Sequence, residues 1–67
     1  MNNALPKTPV EILKDALARE QEAHDFYEQM LLVCKADMVV TLLETLKNEE
    51  SRHLRLVHAM LAKLETA

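Results

Sequence analysis

At 67 residues the chain makes one small domain, near the size at which a single core is marginal without a metal, a disulfide or a second subunit. It has no glycine and no tryptophan, with 49% hydrophobic and only 3% aromatic residues, a helical profile that excludes strand-rich architectures. A net charge of -3 with no basic cluster excludes nucleic acid as a partner. No apolar run approaches the roughly 20 residues of a membrane span, and the single cysteine, Cys34, permits no intrachain disulfide.

Residues 1–7 read as a flexible N-terminal lead-in without the apolar run of a signal peptide, so a soluble, reduced, cytoplasmic setting is expected. Thr8-Pro9-Val10-Glu11 then combines an N-cap threonine, a proline at the first helical position and a glutamate at the third. A first helix over about 9–34 follows, with Leu13, Ala16, Leu17, Glu20, Ala23, His24, Tyr27, Met30 and Leu31 recurring at helical spacing along one stripe. Glu20 sits in the middle of that stripe.

The chain is expected to leave the helix near Cys34-Lys35-Ala36, Cys34 serving as a small hydrophobe at the helix end and Asp37 as N-cap of a second helix over about 38–65. The second stripe runs Val39, Leu43, Leu46, Glu50, His53, Val57, Met60 and Leu64, a three-four alternation in which only Glu50 and His53 are polar. Residues 8–67 thus form one antiparallel helical hairpin.

A carboxylate and an imidazole three apart on a helix point the same way, at the spacing two ligands of one metal need. With a turn at residue 35, Glu20 lies fifteen residues before it (35 − 20) and Glu50 fifteen after (50 − 35), so the two stand at equal height. His53 is one turn further on. Carboxylates placed among apolar neighbours cost several kcal/mol unless compensated, which makes Glu20, Glu50 and His53 candidate metal ligands. Oxygen donors with one imidazole per ion suit iron, with manganese as the alternative. Tyr27, two turns after Glu20, is a candidate hydrogen-bond donor to one of these carboxylates or a core aromatic with its hydroxyl at the rim. His24 is a supporting group or a partly exposed helix residue. Glu22, Glu49 and His58 point away from the stripe, Glu22 and Glu49 forming either a solvated surface or an acidic approach for ions.

These residues carry a resemblance. Glu20-Gln21-Glu22-Ala23-His24-Asp25-Phe26-Tyr27, followed by Glu49-Glu50-Ser51-Arg52-His53, resembles the rubrerythrin-like branch of the ferritin-like superfamily and, within it, the two-helix half-ferritins called encapsulated ferritins. The likeness covers about residues 10–64 without a gap between Glu20, Tyr27, Glu50 and His53. It implies an all-α fold in which the hairpin dimerises into a ferritin-like four-helix bundle. Glu20, Glu50 and His53 would ligate two irons per dimer, Tyr27 would support the site catalytically, Glu22 would lie on the approach path, and the activity would be that of a ferroxidase. A homodimer or a multiple of dimers is the expected assembly, with metal ions as ligands. The chain departs from the pattern by stopping at Ala67, without the further helix and the shell-targeting tail that would place it in an encapsulating shell. It also lacks a rubredoxin-type four-cysteine site, and carries Arg19 where the family has an acid before Glu20. The rival expectation is a non-enzymatic helical interaction module whose polar layer fixes its register.

Overall fold

The structure is a computed structural model that describes residues 7–66; residues 1–6 of the expected lead-in, and Ala67, lie outside the described residues. Two helices, α1 (Pro9–Val33) and α2 (Asp37–Thr66), pack against each other as a hairpin. No helix is long and apolar enough to cross a membrane.

The start of α1 has the chemistry its sequence announces. The Thr8 hydroxyl accepts from the Glu11 N–H at 3.1 Å, and the Glu11 carboxylate accepts from the Thr8 N–H at 2.8 Å. Two otherwise unpaired backbone donors are satisfied reciprocally, and Pro9, which has no N–H to lose, takes the first helical position. Lys7, in the last residue of the expected lead-in, pairs with Asp15 on the second turn.

The chain leaves α1 without a left-handed residue. Cys34 is extended (φ -78°, ψ 133°) and its N–H still bonds back to the Met30 carbonyl at 2.9 Å. The second helix opens one residue earlier than its sequence suggests. Val40 N–H donates to the Ala36 carbonyl at 2.8 Å, so Ala36 occupies the cap position and Asp37 the first turn. There a carboxylate still favours the positive end of the helix dipole.

Every stripe position expected on α1, from Leu13 to Leu31, is half-buried. On α2 the centre of the stripe holds, with Leu43, Leu46, Glu50, His53, Val57 and Leu64 half-buried, while its ends differ. Leu61 takes the inward place expected for Met60, and Val40 the place expected for Val39; Met60 and Val39 remain 47% and 45% exposed. A straight helix drifts about 20° per heptad relative to a strict seven-residue repeat. Beyond Glu50 that lag turns Met60 off the seam and brings Leu61 onto it.

Among the described residues Leu61, 7% exposed, is the only buried one, and none is fully enclosed. The smallest dimension of the molecule is 14 Å, little more than one helix diameter, so each helix is covered on one side only. Leu61→Ala is therefore expected to lower the unfolding free energy by about 2 kcal/mol or more, and Thr8→Ala by about 1 kcal/mol. Leu32→Ala, at a side chain 79% exposed, should change it by less than about 0.5 kcal/mol. Urea unfolding reads all three, and equal losses at Leu61 and Leu32 would contradict this packing.

Candidate metal centre

The three-residue connection centres the hairpin on residue 35, so Glu20 and Glu50 lie equally far from the turn. Glu20, at the middle of the α1 stripe, consequently faces Glu50 and His53 on α2. The imidazole Nδ1 of His53 lies 2.9 Å from Glu20 Oε1, a hydrogen bond across the two helices. The same nitrogen is 3.5 Å from Glu50 Oε1, too long for a strong bond. One donor atom from each residue falls within a span of 4.8 Å. The side chains of Glu50, Glu20 and His53 are 17%, 31% and 43% exposed, so the set deepens toward Glu50 and opens toward His53.

Two carboxylates this close repel unless a proton or a cation lies between them. Glu20 is held below the ordinary carboxylate range, first by a hydrogen bond with the Glu50 carboxyl and then by His53. Glu50 is pushed up, first by that same bond and then by its burial, with the Glu20 charge adding to both. The two carboxyls are thus pushed in opposite directions by their mutual proximity. His53 is raised above its ordinary value chiefly by Glu20, with Glu50 assisting. The Oε1 atom of Glu50, sealed from solvent, has no hydrogen-bond partner among the described residues. Glu50 therefore presents an unpaired buried oxygen beside two further donor atoms, the arrangement a cation satisfies best.

These shifts carry opposite signs in stability. The raised His53 contributes stability below its ordinary value of 6.5 and loses it as pH rises through the raised one. The depressed Glu20 contributes above its ordinary 4.5 and loses it as pH falls through the lowered one. Ionising Glu50 against Glu20 costs stability instead. Solvent at the open, His53 side screens the pair, so the charged contribution is modest.

Tyr27 is half-buried on the same stripe as Glu20. Its ring meets Phe26 edge-on, with centroids 5.6 Å apart and planes at 68°, and among the described residues its hydroxyl makes no hydrogen bond within the chain. His24 is drawn into a different group. Its Nδ1 lies 3.2 Å from Asp25 Oδ1, which also accepts from Gln21 at 2.9 Å, and Glu28 completes a second set of three donors. The spacing of His24 to Asp25 and Glu28, one and four residues on, signals that set, but Asp25 and Glu28 are exposed. Arg19, Glu22, Glu49 and His58 are exposed as well, as expected of residues off the stripe.

Compared with family models, with curated proteins and with solved structures, the chain matches none of them. The donor set itself is therefore what bears on function.

His53 should titrate above 6.5 in the metal-free protein, and Glu20→Gln should bring it back toward that value, as followed by imidazole NMR. Above the pH at which His53 loses its proton, metal-free Glu50→Gln should melt at a higher temperature than wild type, because it removes one of two facing charges. A lower melting temperature for that variant would mean the carboxylates do not oppose each other.

Proposed function

We propose that two copies of this chain close the Glu20, Glu50 and His53 sets into one di-iron carboxylate centre that oxidises Fe(II), in an assembly of the ferritin-like four-helix type. The observation that carries the reading is the unpaired, buried Oε1 of Glu50 held within 4.8 Å of donor atoms from Glu20 and His53. Doubling the set gives four carboxylates and two imidazoles, the donor balance of carboxylate di-iron sites in helical bundles.

Fe(II) is the substrate: two ions give up one electron each to dioxygen, which leaves with two protons as hydrogen peroxide, or to peroxide, which leaves as water. The chain's part is to bind. A cation arriving between Glu20 and Glu50 converts carboxylate repulsion into attraction. Glu20 and Glu50 supply hard oxygen donors whose attachment can shift as the ion's charge rises, and His53 fixes one direction of approach. Tyr27 is proposed to donate its hydroxyl to a carboxylate of the assembled pair. The same donor set accommodates manganese. A reduced Cys34 suits a cytoplasmic setting.

One observation favours a second reading. The bond between His53 and Glu20, 2.9 Å across the two helices, is already a satisfied polar contact. In a helical interaction module such a layer would fix register with no metal at all.

Metal analysis and stopped-flow oxidation separate the two. The protein should bind two irons per two chains and oxidise Fe(II) in a fast phase that saturates at that ratio. His53→Ala and Glu20→Ala should slow the fast phase by about tenfold or more, Tyr27→Phe should slow it modestly without changing the iron count, and Glu50→Ala should abolish the rise in melting temperature that Fe(II) or Mn(II) produces. A His53→Ala protein that oxidises Fe(II) as fast as wild type would leave the interaction module as the better account.

A further inference from the structure

The half-buried stripes are not the only heptad pattern in this chain. On α1, Ile12, Arg19, Phe26 and Val33 recur every seven residues, and on α2 Leu42, Glu49 and Leu56 do the same. Seven residues return a helix to within about 20° of its starting direction, so each series is one line along its helix. Every member is exposed, Phe26 at 54% and Leu56 at 60%. The two lines lie on the same side of the hairpin. A shallow groove lined by Ala16, Glu20, His53, Leu56 and Val57 meets the α2 line at Leu56 and carries the open edge of the metal set.

From this we infer that the line through Ile12, Arg19, Phe26 and Val33 and the line through Leu42, Glu49 and Leu56 together form the face on which a second copy of the chain docks. The inference rests on the pairing proposed above and adds the surface through which it occurs. Two observations select a second copy over any other occupant. The two lines carry one cation and one anion, Arg19 and Glu49, so two copies brought face to face form a neutral layer of two Arg and two Glu; an acidic or a basic partner would find no net complement along them. Finally, His53, the most exposed member of the metal set, stands between Glu49 and Leu56 on this same side, so a copy docked here brings its own carboxylates and imidazole against the first.

Sedimentation velocity over a concentration series tests the face, with iron loading measured in parallel. Wild type should be dimeric, and Phe26→Glu or Leu56→Glu should raise the dissociation constant by about tenfold or more, a loss of about 1.4 kcal/mol. Arg19→Glu should weaken pairing, and adding Glu49→Arg should restore it; this exchange keeps the test decisive if Phe26→Glu unfolds. Glu28→Lys and Glu44→Lys, two residues on from Phe26 and Leu42 and so about 200° round each helix, should leave the dimer intact. The assignment is overturned if Phe26→Glu and Leu56→Glu pair as tightly as wild type, or if the double exchange pairs no better than Arg19→Glu alone. Loading of two irons per pair in dimers indifferent to these variants would remove the face and keep the iron reading. A dimer that these variants break but that takes up no iron would do the reverse.

Discussion

Glu20 and Glu50 face each other at close range, with the His53 imidazole beside both to offset their repulsion. The two glutamates occupy the centres of the two helix stripes, where apolar residues would pack better, and the imidazole that bonds to one of them comes from the same face of the same helix as the other. In a two-helix hairpin with one buried residue among those described, such a layer costs a large share of the available packing. It persists because the carboxylates are only half-enclosed, deep at Glu50 and open at His53. That gradient allows them to be compensated from one side, by a proton, a cation or a second set of the same groups.

The hairpin leaves one side of each helix uncovered. Its helices are long, strongly capped at Thr8, and joined by three residues, yet they are one layer thick and leave apolar side chains exposed in regular heptads. An interhelical layer of two carboxylates and an imidazole beside an uncovered apolar face is what the proposed pairing with a second copy would complete.

Much of this was legible in the amino-acid sequence. Thr8, Pro9 and Glu11 announce a helix start through local chemistry that tertiary contacts do not override, and the α1 stripe emerges at every expected position because its apolar residues sit at consistent helical spacing. The meeting of Glu20 with Glu50 and His53 follows from simple counting about residue 35. Less legible were features that depend on small angular differences. Met60 and Leu61 are both apolar, so only the accumulated lag of the real helix decides which one turns inward. Asp37 has the stronger preference for a cap, but the first helical bond falls to Ala36 because the extended exit at Cys34 fixes where the backbone can turn. The second heptad line was obscured by its neighbours. Ile12, Phe26, Leu42 and Leu56 each sit one position before a stripe residue, and their lines separate from the stripes only when their exposure is seen.

The three-residue connection through Cys34, Lys35 and Ala36 has a consequence for how this chain can change. At Cys34 the backbone is extended, a shape that asks for no particular residue. The segment from Glu20 to Glu50 behaves differently, because it is a frame closed at both ends by groups that must meet. Substitution inside that frame leaves the meeting intact, whereas one residue gained or lost within either helical arm would swing a carboxylate by about 100° around its axis. Among descendants of this sequence, side chains in the frame can therefore drift while its length is held, and insertions should accumulate outside it.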